Sequence, residues 1–260
     1  MQIPARRRLS SRSNEASTAG LHHSVQARCF YLPMKHDYEC LRPGIYLRQD
    51  PRLKLTTDAL LLAAFCHPPH GASIADLGCG SGAISLLLCA ADPTCHLTGI
   101  ECDGTACALA EDSRQASQLT DRFSVVQCDL RRCRTKFSPG SFDYAVANPP
   151  YFPTGTNSAR AEQVCTLQEL CNTAAYLVKN GGTFSMIYRP ERLTDALCAL
   201  RAAHLEPKRI QFVRHQVGTP INLVLLSAKH GGHSGLQFEP DRILHQSHCC
   251  DSTLYSHKED

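Results

Sequence analysis

The run Asp76-Leu77-Gly78-Cys79-Gly80-Ser81-Gly82 lies between an apolar segment, Ser73–Asp76, and a helix-forming one, Ala83–Ala91. Glycines at alternate positions let a backbone turn tightly and approach a ligand closely. Strand and helix patterns alternate from there on. Strand His96–Glu101 precedes helix Gly104–Gln118, and strand Phe123–Cys128 leads through a basic loop to strand Phe142–Ala147. A helix over Gln163–Val178 is expected to stop at Asn180-Gly181-Gly182. Strand Thr183–Tyr188, helix Pro190–His204 and strands Arg209–Arg214 and Ile221–Ala228 complete the series. Such alternation predicts an α/β fold, a mainly parallel seven-stranded sheet with helices on both faces. In such sheets the ligand crevice lies at the carboxyl ends of the strands.

The chain ahead of this core divides in two. Residues 1–33 carry Arg6, Arg7, Arg8, Arg12 and Arg28 against Glu15, with few large apolar side chains, and are expected to be a disordered extension. They hold no apolar core of a secretory signal, and Met34-Lys35-His36-Asp37 reads as a natural start. Residues 34–71 read as a hairpin turning at Gly44, then a helix over Thr57–Phe65 capped by Thr57 or Asp58 and closed by Pro68-Pro69. The core domain is expected over 72–245, with a polar tail at 246–260.

Of the 27 basic and 24 acidic residues, 22 and 23 remain once residues 1–33 are set aside. The body is near neutral, so any nucleic-acid contact must come from local patches. The longest apolar runs, Ala59–Phe65 and Ala83–Ala91, are too short to cross a bilayer. Fifteen cysteines, an odd number without C-x-x-C spacing, suit free thiols in a reducing cytoplasm. Cys66, Cys89 and Cys198 sit in segments that read as core. His230, His233, His245, His248, Cys249 and Cys250 can be drawn together, but their spacing fits no zinc pattern and no metal is expected.

Four acidic or amide side chains fall at successive strand ends: Asp76, Glu101, Asp129 and Asn148. The last opens Asn148-Pro149-Pro150-Tyr151. Neither proline can donate to a sheet ladder, so the strand ends in a stiff, extended turn holding an amide beside an aromatic ring. An amide pairs well with an exocyclic amine, and the ring offers a face for a flat base. Taken singly, each residue has a plainer role: Asp76 as the cap of a turn, Asp129 as a partner of Arg131 and Arg132, Asn148 as the end of a strand. Gly78, Gly80 and Ala83 also satisfy G-x-G-x-x-A, with Glu101 at the distance of a ribose-binding acid, which leaves a nicotinamide oxidoreductase open.

The D-x-G-x-G-x-G form and Asn-Pro-Pro-Tyr resemble the Rossmann-like class I S-adenosylmethionine-dependent amino-methyltransferases. Further runs follow in order: Ala159-Arg160-Ala161-Glu162, Arg189-Pro190-Glu191-Arg192-Leu193, Glu206-Pro207-Lys208-Arg209-Ile210 and Lys229-His230-Gly231-Gly232. With these, the chain over about Glu39–His245 is similar to the bacterial tRNA1(Val) adenine-N6 methyltransferase family. The arginine-rich start and His/Cys tail depart from that family.

The resemblance implies S-adenosyl-L-methionine as cofactor. It makes Asp76 cofactor-binding and places the Gly78, Gly80 and Gly82 loop on the methionine portion, Glu101 on the ribose, Asp129 on the adenine amine, and Asp58 with Thr57 at the amino-acid end. It gives Asn148 and the Pro149 carbonyl the target amine, and Tyr151 a stacking role. It implies tRNA as the partner, with an adenine beside the anticodon as target, and no stable protein partner. Arg131, Arg132, Arg134 and Lys136, with Arg160, Arg189, Arg192, Lys208 and Arg209, are candidate phosphate contacts. Related enzymes with the same motif act on rRNA guanine, DNA adenine or release-factor glutamine, and a non-catalytic RNA-binding relic is a further alternative.

Overall fold

The computed structural model describes residues 37–150 and 165–245. Tyr151, Phe152 and Arg160, together with the expected extension and tail, lie outside them. After the hairpin β1 (Tyr38–Arg42) and β2 (Ile45–Arg48), helix α1 spans Thr57–Phe65. Its cap is Thr56, one residue before the expected position, whose hydroxyl accepts the Ala59 N–H at 3.3 Å.

The core then runs β3 (Ser73–Leu77), α2 (Ala83–Ala91), β4 (His96–Glu101), α3 (Gly104–Ala116), β5 (Phe123–Gln127) and β6 (Phe142–Ala147). It continues with α4 (Leu167–Leu177), β7 (Val178–Tyr188), α5 (Leu193–Ala202), β8 (Leu205–Arg214) and β9 (Ile221–His230). Strands β3 to β7 are mutually parallel in the order β7-β6-β3-β4-β5, and β9 lies antiparallel between β7 and β8.

The sheet has nine strands among the described residues rather than the expected seven. After β9 the chain doubles back along the open edge of β8. It pairs there through two-residue strands, β10 (Gln237–Phe238) and β11 (Arg242–Ile243). Ion pairs Arg209–Glu239 and Arg214–Asp241 fasten this strap, which covers an edge that would otherwise present unpaired backbone groups. Two-residue strands carry no periodicity, so only the tertiary pairing defines them.

The parallel strands are apolar on both faces because helices cover both. Neighbours point to opposite sides: Ile74 packs with Leu86, Leu97 and Phe123 beneath α1 to α3, while Ala75 joins Leu170, Ala174 and Leu177 beneath α4 and α5. The helix before β7 starts at Leu167 rather than Gln163, where Thr166 and Glu169 cap each other reciprocally. Asn180-Gly181-Gly182 does not stop that helix but lies inside β7, beside an irregular register with Phe142 and Tyr144. The expected helix at Pro190 begins as a short 3-10 turn, Pro190–Arg192, before α5. The basic loop after β5 is likewise a 3-10 helix, Leu130–Thr135.

Helix α3 holds the hairpin as a third strand would. The Tyr46 N–H donates to Ser117 Oγ (2.8 Å), which donates back to the Tyr46 carbonyl (3.1 Å). The Arg48 N–H donates to Ser113 Oγ at 2.9 Å.

The described cysteines are free thiols. Cys66 and Cys89 are buried as expected, but Cys198 is exposed, because α5 turns Ala196, Ala199 and Leu200 inward. Among the described residues no helix is long and apolar enough to cross a membrane, and no three candidate ligands cluster around a metal position.

Candidate active site

The carboxyl ends of β3, β4, β5 and β6 open on a cavity of about 220 Å³, lined by Gly78, Glu101, Asp129, Asn148, Pro149 and Pro150. Ile100, Leu130 and Leu170 supply apolar wall. The cavity therefore offers two carboxylates, one amide and greasy sides suited to a flat ring.

Glu101 closes β4, and backbone hydrogen bonds hold its carboxylate. Oε1 accepts the Cys102 and Asp103 N–H groups at 2.7 and 3.0 Å, and Oε2 accepts the Gly80 N–H at 3.0 Å. A carboxylate has about four acceptor sites, so capacity for a hydroxyl remains on a group that is already oriented. The glycine loop is stitched to the same strand, with the Gly78 N–H donating to the Ile100 carbonyl at 2.8 Å. Gly78 has φ +76°, and among the described residues nothing lies within 4 Å of where a Cβ would stand, so the backbone can be approached closely there.

Asp129 caps the 3-10 helix by accepting the Arg131 N–H at 2.9 Å, and pairs with that residue's guanidinium at 2.6 Å. These bonds to Arg131 hold its carboxyl below the usual range, although partial burial opposes the shift. An incoming amine would have to share Asp129 with Arg131.

Asp76 is fully buried and is not part of the cavity wall. Its Oδ2 accepts the Ser85 hydroxyl at 2.7 Å, tying the end of β3 to the first turn of α2, while Oδ1 has no hydrogen-bond partner among the described residues. Burial pushes its pKa up to about 7, with Ser85 opposing and the Glu101 charge adding to the rise. Asp76 thus positions the glycine loop from beneath. Gly80 and Gly82 also lie off the wall; Gly82, at φ +86°, begins α2 with Phe123 3.1 Å from its missing Cβ. Asp58, in the first turn of α1, and its neighbour Thr57 are not lining residues either.

Three sets of similarities bear on this geometry. The family model for the methyltransferase small domain matches residues 50–202. The tRNA1(Val) (adenine(37)-N6)-methyltransferase of Bacteroides fragilis is 30% identical over 183 residues, covering 67% of this chain and 76% of the relative. The enzyme of that name from Dickeya chrysanthemi is 29% identical over 191 residues, covering 70% and 75%. The chain belongs to this methyltransferase family. A solved structure from Agrobacterium tumefaciens, titled a predicted O-methyltransferase, superimposes with a TM-score of 0.63 at 22% identity, covering 75% of this chain and 90% of that one. That likeness shows the class I methyltransferase fold.

S-adenosyl-L-methionine is the cofactor of the family, and the residues present fit it. Glu101 has acceptor capacity for a ribose diol, Gly78 leaves space for close approach, and Ile100, Leu130 and Leu170 can enclose a purine. Of the candidate residues read from the sequence, the fold brings Gly78, Glu101, Asp129, Asn148 and Pro149 to one cavity. It sends Asp76, Gly80, Gly82 and Asp58 to supporting positions.

The basic candidates also divide. Arg131 is paired at the rim, Arg132 and Arg134 are exposed, and Arg189 follows β7 at the same edge. Lys208 and Arg209 lie elsewhere. Lys208 donates to the His233 carbonyl, and Arg209 pairs with Glu239 and stacks on the Phe65 ring at 4.4 Å. Arg192 pairs with Asp195.

Sequence reasoning missed Cys102, Leu130, Cys165, Thr166 and Leu170 in the wall. Only Thr166 left a signal, its Thr-x-x-Glu capping box. Burial raises the Cys102 thiol and pushes Cys165 up to about 11, so neither wall cysteine is a ready thiolate.

Proposed function

We propose that this methyltransferase transfers a methyl group from S-adenosyl-L-methionine to the N6 amine of an adenine in tRNA. One observation carries the reading: Asn148 and Pro149, just past the end of β6, line the same cavity as Glu101 and Gly78. An amide acceptor placed beside the cofactor suits a planar amine substrate. The curated relatives named above carry this activity in their names.

The cofactor supplies an already activated methyl group, so the protein needs no nucleophile of its own. The work of this chain is positioning. The Asn148 side-chain oxygen and the Pro149 carbonyl accept the two N–H groups of the target amine, localising a lone pair otherwise delocalised into the ring. Pro149 and Pro150 fix the backbone that presents both acceptors. Glu101 orients the cofactor, and Tyr151 is the expected stacking partner of the unstacked base.

The test is incubation with labelled cofactor and bulk tRNA from a strain lacking the activity, followed by digestion to nucleosides. N6-methyladenosine is expected with the wild type and absent with Asn148→Ala, while cofactor binding persists. Label in guanosine or in protein would replace adenine with the other amines served by this motif.

A further inference from the structure

On the flank of the molecule a groove of about 590 Å³ runs between the 3-10 helix, α4 and the start of β7, a volume in the range of small-ligand sites. It is lined by Arg134, Asn172, Tyr176, Asn180, His204 and His230 together with apolar residues, and among the described residues no acidic side chain belongs to its wall. Arg134 lies over the Tyr176 ring at 4.2 Å, which fixes the guanidinium by its face and leaves its N–H edges available. The Tyr176 hydroxyl donates to the Phe137 carbonyl at 3.0 Å, so the ring itself is anchored.

Several arginines elsewhere in the fold are held in ion pairs. Arg114, Arg192, Arg209 and Arg214 are neutralised by Glu111, Asp195, Glu239 and Asp241. Arg132, Arg134 and Lys136 are all exposed, and among the described residues none of them makes an ion pair. They descend in sequence from Asp129 at the cavity rim toward the amino edge of the sheet. Thr166 lines the cavity and Tyr176 lines the groove. Ten residues of helix separate them, about 15 Å at 1.5 Å per residue. That is roughly four or five nucleotide steps at ~3.4 Å each.

We infer that this ridge and groove bind the phosphodiester backbone of the substrate tRNA, in the stem adjoining the loop whose adenine enters the cavity. Unpaired cations meet the phosphates, and the asparagine and histidine side chains offer hydrogen bonds to phosphate or 2′-hydroxyl oxygens. The apolar part of the wall is made mostly of small residues, Ala175, Ala202 and Ala203 among them, which suits a sugar-phosphate backbone better than a large apolar side chain. The inference rests on the proposed RNA substrate and extends it from the target base to the body of the molecule.

Anisotropy titrations of full-length tRNA between about 50 and 200 mM salt read the groove without requiring catalysis. The triple variant Arg132→Ala/Arg134→Ala/Lys136→Ala is expected to bind tRNA at least tenfold more weakly. Its log–log salt slope should flatten by about two to three, close to one for each phosphate left without its cation. Asn172→Asp, an exposed substitution that places a negative charge in the groove, is expected to weaken binding several-fold. Cofactor affinity should not change, and in the methylation assay KM should rise with kcat within twofold. An oligonucleotide too short to leave the cavity should bind all three proteins alike. Unchanged affinity and slope in both variants would overturn the inference even with methylation intact, as would an equal loss for the short oligonucleotide. A wild type that binds tRNA through these residues yet methylates no adenine would sink the functional reading and leave the groove supported.

Discussion

Replacing Asp76 with asparagine removes a buried charge while keeping the shape of the side chain. Asp76 is fully buried, and its pKa rises from 3.8 to about 7, mainly through desolvation. The unfolded chain releases this proton near pH 4, while the folded protein keeps it to about pH 7. Between those values the folded state binds more protons, so the stability this group contributes falls as pH rises and levels off above pH 7. A displacement of ~3 pH units at 1.36 kcal/mol each puts the cost at pH 8 near ~4 kcal/mol as an upper figure. Asparagine avoids that cost and still accepts from Ser85 Oγ. Its amide N–H replaces an oxygen that has no hydrogen-bond partner among the described residues, and an unmet donor costs ~1–3 kcal/mol. The net expectation for Asp76→Asn is a gain of about 1–3 kcal/mol at pH 8, a Tm rise of roughly 3–8 °C for a domain of this size. At pH 5, where Asp76 is already neutral in the folded protein, the gain should vanish or reverse. Calorimetric melts of both proteins at the two pH values decide it. A variant less stable than the wild type at pH 8, or an advantage equal at both values, would refute the burial argument.

Other substitutions probe the remaining links. Glu101→Gln takes the charge from the cavity, keeps one oxygen for the Cys102 and Asp103 N–H groups and sets an amide NH2 against the Gly80 N–H, and calorimetric titration should show cofactor affinity falling ~10- to 100-fold. Gly82→Ala places a Cβ at φ +86° about 3.1 Å from Phe123, and denaturant unfolding should show a loss of ~2–3 kcal/mol, with lost cofactor affinity following only from misfolding. Ser113→Ala combined with Ser117→Ala strands the Arg48 and Tyr46 N–H groups. Hydrogen exchange at those two amides should accelerate well before global unfolding, and unchanged protection would mean that Leu47 packing alone holds the hairpin.

The order of strands and helices was legible in the sequence because its signals are local: a hydrophobic period, a glycine turn, a proline stop. The boundaries that moved did so where a long-range partner overrode a local cue. Asn180-Gly181-Gly182 looks like a helix stop, yet β6 pairs with Val178 before it and Thr183 after it, so the run becomes an irregularity inside β7. The strap β10–β11 exists only because β8 leaves an edge to cover.

The candidate site shows the same division. A parallel sheet brings its strand ends to one rim, so the positions of Glu101, Asp129 and Asn148 at successive ends already implied a shared cavity. The direction of each side chain was not implied. Asp76 sits one residue before the end of β3 and points into the interior toward Ser85, whereas Gly78, two residues later, reaches the cavity. Lys208 and Arg209 read as free cations in the sequence, but β8 delivers them to His233 and Glu239. Cys165, Thr166 and Leu170 become cavity wall because α4 packs against the 3-10 helix and the β3, β6 and β7 strands. Composition and spacing are properties of the chain and fix which chemistry is present; whether a charge is neutralised, buried or open to a ligand depends on neighbours distant in sequence, which only packing brings near.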